Sequence, residues 1–522
     1  MKDHDQVNKI AKGALLLTVA GILSKLLSAA YRIPLQNLTG DIGFYTYQQV
    51  YPILGMILIL ALYGFPSAIS RMAVINQGNN RKLSLTHFAM PLFLLLLLIN
   101  GLLALLLWLN AQRLANLIGD AQLASAFKMT AFLFLLIPLT SLFRGIFQSQ
   151  LTMRPIALSQ ISEQLVRVII ILLAAILYAT GRLTNIYKIA EGAAIAALGG
   201  AGMALVILAV ILRKSNIFSK ESFVIPWKNY LYTVVVVGLV ASLNHMILLL
   251  IQLADTLTLI PALQQFGLSK LNAMAMKGVF DRGQPLIQLG TVIGSSFALS
   301  LIPAATKNRH HKNRHQTNSM TETLTLSFYL AMGATVGLVL IFPETNLLLF
   351  KDLSGTFSLQ VLALATILST VSVTAIAVLQ GEGVVLRTAL YIIIAFIVKG
   401  VSNLLLVPNL GITGSALATV LSLFVLMILV MYELNKFYAL RTILRSLHWL
   451  SLVKAITAMA SYILILKYFL PVAWLGDRLI LLFYVVFVVM SGSLIYLIVL
   501  AKNRALTTEQ RASLPFSRFL NK

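Results

Sequence analysis

Apolar residues run through this chain in long blocks rather than at the spacing of an amphipathic helix or strand. Leu92–Leu107 and Val234–Val240 are two such blocks, almost free of polar positions. About 20 mainly apolar residues cross a bilayer as a helix. Runs of that length predict fourteen spans, at 13–31, 44–66, 84–109, 124–147, 155–179, 189–212, 230–255, 278–303, 321–343, 357–381, 386–407, 411–434, 448–470 and 478–501. Backbone groups in lipid must bond within their own segment, so all are expected to be helical, and the runs are too long and uniform for a barrel. The apolar stretch 13–30 carries Lys25 and leads into further spans, so it reads as a first helix and not as a cleaved signal.

Composition agrees. Of 522 residues, 59% are apolar and 11% charged, too little polar surface for a water-soluble fold. The 40 basic residues outnumber 16 acidic ones, a net charge of +24. In a membrane protein that excess marks cytoplasmic loops and grips anionic lipids; nucleic acid is not expected as a partner. The basic residues concentrate on alternate loops, which predicts both termini in the cytoplasm. The chain has no cysteine, so disulfides and thiol chemistry are excluded. Three histidines in the basic stretch 307–315 lack acidic partners and read as a solvated loop, not a metal site.

Weak self-similarity recurs at about 230 residues: Ala68-Ile69-Ser70 with Ala298-Leu299-Ser300, Gln148 with Gln380, Arg167 with Lys399, and Gly192–Ala196 with Gly414–Ala418. The expected organisation is an N-lobe at 1–220, a C-lobe at 221–440, and two further helices with a basic tail at 441–522. Six helices per lobe make the repeat parallel. That is one plan of secondary transporters, in which the substrate crosses between halves that rock.

Charges inside spans are costly and are candidates for function. Glu163 and Arg167 stand four apart and are expected to pair, as an internal ion pair or a gate, with Lys399 the counterpart of Arg167. Lys128, Lys454 and Lys467 lie toward span ends and are expected to snorkel. Lys25, with Ser24 beside it, lies mid-span in the first helix, Arg32 near its outer end and Arg282 at the outer start of span eight. Together they are expected to bring positive charge toward a central cleft, with Asp281 orienting or partly neutralising a neighbour. Surplus positive charge suits an anionic cargo, and arginine's planar fork suits phosphate. No nucleophile with an oriented base is apparent, so a carrier is expected and not an enzyme.

Four stretches carry a resemblance: Leu23–Leu27, Tyr63-Gly64-Phe65-Pro66-Ser67-Ala68, Phe280-Asp281-Arg282, and Pro408-Asn409-Leu410-Gly411-Ile412-Thr413-Gly414-Ser415-Ala416. On these the chain resembles the multidrug/oligosaccharidyl-lipid/polysaccharide exporter superfamily, and within it the MurJ-type lipid II flippases and the YtgP/SpoVB-like polysaccharide transporters. The resemblance implies an all-α protein of two lobes plus a final helix pair, in the bacterial cell membrane. It further implies that Lys25 and Asp281-Arg282 take the place of family residues at the substrate site, with Arg32 matched more loosely. The implied activity is flipping of an undecaprenyl-pyrophosphate-linked cell-wall precursor such as lipid II, with the cell-wall synthesis machinery a natural partner. The second span departs from the pattern: Met56–Ala61 carries none of the charges the better-known flippases have there. A flippase for a teichoic or capsular precursor, a multidrug/cation antiporter and a membrane glycosyltransferase are the alternatives. No cofactor is expected; sodium, protons and the membrane potential all stand as drivers of the return step.

Overall fold

The computed structural model describes residues 2–76, 82–215, 217–219, 227–240, 242–299, 314–471, 477–503, 505–507 and 510–511. Among them the chain is helical almost throughout, apart from a two-residue parallel pairing of Leu83 with Phe218 and Ser84 with Ser219. The basic stretch 307–313 lies outside the described residues.

Twelve described helical stretches are long and apolar enough to cross a membrane. Two of the fourteen expected crossings are absent from that count for identifiable reasons. Val19–Ile75 forms a single 57-residue helical stretch that covers the first two expected spans. Within it, Gly40 turns to φ 69°, a conformation that an L-residue adopts only under strain. The eighth expected span is interrupted at Arg282, between Lys270–Asp281 and Gly283–Leu299, and with Arg282, Gln284 and Gln288 in it is less apolar than the twelve. Burial separates lipid-facing from central helices: Leu85–Ile118 buries 22% of its most apolar window, Thr356–Gly381 72%.

The described chain forms two compact units, Met1–Pro261 with Ser269–Gly278, and Ala262–Leu268 with Val279–Lys522. Helix Ile247–Gln265 and the irregular turns before it, expected to open the second lobe, thus pack with the first unit as far as Pro261. The cause is close contact: a Cβ at Gly64 would stand 2.6 Å from the Gly238 carbonyl, so only glycine admits that approach.

In the first unit, helices Arg154–Ala179 and Lys188–Arg213 pair tightly, because Gly200 lies against the Glu163 backbone, 2.6 Å from where a Cβ would stand. In the second, Val385–Leu410 and Ile412–Leu434 pair the same way. Gly411 makes the turn at φ 58°, and a Cβ at Gly414 would meet the Leu406 carbonyl at 2.5 Å. That accounts physically for the glycines of the Pro-x-x-Gly-Ile-x-Gly-x-Ala stretch. The final helices, Trp449–Phe469 and Arg478–Lys502, dock on Arg314–Phe350. Tyr496 donates to the Tyr329 carbonyl at 2.6 Å, and Arg478 Nε to the Leu348 carbonyl at 2.9 Å. Lys467 does not snorkel: it pairs with Glu344 at 2.8 Å and donates to the Leu340 carbonyl.

Candidate functional site

The first unit holds a buried ion triad. Glu163 accepts from Arg144 at 2.6 Å and from Arg167 at 2.7 Å. The Glu163–Arg167 pair expected from the i, i+4 spacing is therefore present, but the fully buried partner is Arg144, which the sequence reading passed over. Its signal was there, an arginine inside the span 124–147. Local sequence explains why Arg144 settles here. Helix Arg32–Ile59 continues as a π-turn, Leu60–Gly64, in which the Phe65 N–H bonds back to the Leu60 carbonyl. In that register the Ala61 carbonyl should receive the N–H of residue 66, which is proline and has none. Arg144 Nη1 takes the vacant carbonyl at 3.3 Å, and its Nε reaches Ser159 at 3.3 Å.

Lys25 stands apart from this triad. Its side chain is exposed, and among the described residues it has no carboxylate partner or hydrogen bond. Beside it Ser24 is buried, its hydroxyl without a partner among the described residues. Lys25 lies close enough to His245 for its charge to act there, and His245 stacks on Tyr63 with ring centroids 4.4 Å apart. Arg32 differs sharply. It is fully buried, with its guanidinium 4.0 Å from the Tyr51 ring and near Tyr31 and Tyr47, whose hydroxyls bond to each other. Aromatic faces hold that charge, and in this conformation it is closed to any ligand.

Asp120, unnoticed in the sequence, is fully buried and gathers three groups: Tyr45 at 3.1 Å, Tyr187 at 2.9 Å and Lys270 at 3.1 Å. Burial, reinforced by the Asp120 charge, pushes the Tyr187 phenol well above its ordinary range. Asp255, which as a lone acid near a span end would be expected to be solvated, is instead buried midway along Ile247–Gln265.

In the second unit Arg282 is fully buried and forked onto Asp352, Nη1 to Oδ1 at 2.7 Å and Nη2 to Oδ2 at 2.9 Å, with Phe350 5.3 Å away. Asp281 is buried next to it, but the bidentate partner is Asp352, seventy residues on and unforeseen. Partial burial pushes the Asp352 carboxyl up, but hydrogen bonds from Arg282 and from the Ser354 N–H outweigh it and hold the group below its usual range. Lys399 is fully buried, with Nζ 3.0 Å from Asn403 Oδ1, 2.8 Å from the Ser415 carbonyl and 2.9 Å from Ser415 Oγ. So Lys25 offers an open cation, while Arg32, Arg282 and Lys399 are enclosed. Among the described residues no cluster of histidines and carboxylates could hold a metal ion.

Residues 10–309 match the family model for polysaccharide biosynthesis protein. The chain belongs to that family. Among its relatives, the uncharacterized membrane protein YabM of Bacillus subtilis is 38% identical over 82% of this chain and 80% of its own length. Lipid II flippase MurJ of the same organism is 25% identical over 79% of this chain and 80% of its own length. Among solved structures, lipid II flippase MurJ in an inward closed conformation aligns with a TM-score of 0.65 at 13% identity, covering 93% of this chain and 98% of its own. An inward-facing multidrug resistance transporter of the MATE family aligns at 0.61 with 15% identity, covering 81% of this chain and 98% of its own. The chain is thus an all-α, multi-pass bacterial membrane protein of the MurJ-type branch of the exporter superfamily, as the motifs led us to expect.

Proposed function

We propose that the protein is a flippase that carries an undecaprenyl-pyrophosphate-linked cell-wall precursor, with lipid II the favoured cargo, from the inner to the outer leaflet by alternating access. The observation that carries this is Lys25: an exposed ammonium within an apolar helix, unpaired among the described residues. An intramembrane charge without a counterion is costly and is kept where a ligand supplies the opposite charge. A pyrophosphate meets that need, and the relative named as a lipid II flippase supports the choice of cargo.

Arg282 joins the site in this reading only when Asp352 gives up its fork, so Asp352 acts as an internal stand-in for the phosphate. Arg32 and Asp281 serve the same cargo from their enclosed positions once the protein changes state, and anionic lipids hold the basic loops. A flippase for another lipid-linked oligosaccharide is the second reading, favoured by the missing charges at Met56–Ala61. Replacing Lys25 by alanine in cells that depend on this protein, with external labelling of lipid II, tests the proposal. Precursor should accumulate facing inward in K25A, while K25R flips normally. Normal flipping by K25A would remove the site, and unchanged lipid II labelling on depletion of the protein would shift the cargo to the second reading.

A further inference from the structure

Tyr63 and His245 sit on two irregular backbone segments of the first unit. Tyr63 belongs to the π-turn Leu60–Gly64, and His245 to the short 3-10 turn Leu243–Met246 that follows the π-helical run Thr233–Val240. Irregular helix at membrane depth survives where it is enclosed by protein or lines a cavity, and π-turns gather at functional sites. Here the two segments meet, Gly64 against the Gly238 carbonyl and Ser242. The rings they carry lie nearly parallel, 16° apart. His245 is nevertheless exposed, as is Lys25. The Tyr63 hydroxyl is hydrogen-bonded by Gln160, and both lie 3.9 Å from where a Cβ on Gly21 would stand, one helical turn before Lys25. Three separate segments thus bring an exposed ammonium, an exposed imidazole and a buried amide together at Tyr63.

We infer that Lys25 and His245 form an anion subsite for a phosphate ester, contained wholly within the first unit, with Tyr63 as the residue that positions the imidazole. The inference deepens the flippase reading and rests on it for the cargo. Lys25 supplies charge without direction, as a rotating ammonium does. His245 supplies a directed ring N–H, and the stacked Tyr63 fixes the plane in which that N–H points. Gln160 in turn holds the Tyr63 hydroxyl, so the ring cannot swing away. Of the other charges on the elements that pack here, Arg144 and Arg167 are already spent on Glu163, and Asp255 is buried farther along the helix that follows His245. Two sources present the same chemistry: a lipid-linked pyrophosphate and the headgroup of an ordinary anionic phospholipid.

The test is equilibrium binding of farnesyl pyrophosphate to the full-length protein in phosphatidylcholine nanodiscs, with phosphatidylglycerol as competitor. Loss of one hydrogen bond to a charged ligand should weaken binding about tenfold in H245A and Y63A. H245Q, which keeps an N–H donor, and Y63F, which keeps the stack, should bind within about threefold of the parent. H245A and Y63A that bind like the parent would overturn the subsite and leave the flippase proposal standing. No binding of farnesyl pyrophosphate by the parent would overturn the subsite as well. If phosphatidylglycerol competes equally, and H245A weakens both ligands alike, the subsite stands and the lipid-linked cargo falls.

Discussion

Glu163 answers two arginines at once, one of them sealed from solvent, and the balance of the triad turns on that single carboxylate. Removing it leaves Arg144 charged and enclosed, a change that costs about 3–5 kcal/mol in buried ion pairs. E163Q should therefore lower the melting temperature of the purified protein far more than R167Q, whose side chain is partly exposed and whose loss leaves the Arg144 pair intact. Asp352 gives a pH-linked counterpart. Its carboxyl titrates below the usual range when folded, so its contribution is complete above the ordinary aspartate value and disappears as pH falls through the depressed one. D352N should melt earlier than the parent at neutral pH, and the gap should close toward strongly acidic pH. A gap that stayed constant with pH would assign the fork on Arg282 no electrostatic weight. The i, i+4 rule made Glu163 and Arg167 legible from sequence. Arg144 and Asp352 were not, because each meets its partner across helices, and no local spacing records that.

At the scale of elements, the stretch Pro408–Ala416 turns out to describe backbone geometry. Gly411 occupies a positive φ, and Gly414 lets one helix lie on the carbonyl of another. G411A should cost about 1–3 kcal/mol, because φ 58° with ψ −141° is open to glycine and strained for an L-residue. G414L must push a backbone apart and should cost at least as much, both read as thermal unfolding of the purified protein. Helix positions were readable from hydrophobic runs, since lipid leaves little choice of structure. Helix breaks were not: hydropathy is blind to the turn at Gly40 and the interruption at Arg282. The first two expected crossings therefore appear as one continuous stretch.

For the whole molecule, the alignment with the MATE-family transporter takes in almost all of that chain but only 81% of this one, against 93% for the MurJ structure. Two extra helices at the end, anchored on Arg314–Phe350 through Tyr496, Lys467 and Arg478, suit that difference. A chain ended after Ser446 should still insert, and its first unit should melt as in the parent, because none of that anchoring involves it. It should fail to complement depletion in cells. Complementation at the parent level would show that the added pair is dispensable for transport. Membrane class and broad family were legible from composition and four short stretches. The division of the chain at Pro261 was not, since it depends on which helices touch.

Pro66 hands a peptide oxygen of its own helix to a neighbour's side chain, and neither party is complete without the other. An alanine at 66 would let the helix close on itself and cost Arg144 that one hydrogen bond, its pair with Glu163 remaining. Loss of the arginine would instead strand the oxygen. An alanine at 66 should therefore partly restore a variant that lacks Arg144, and a suppressor screen started from position 144 should return position 66.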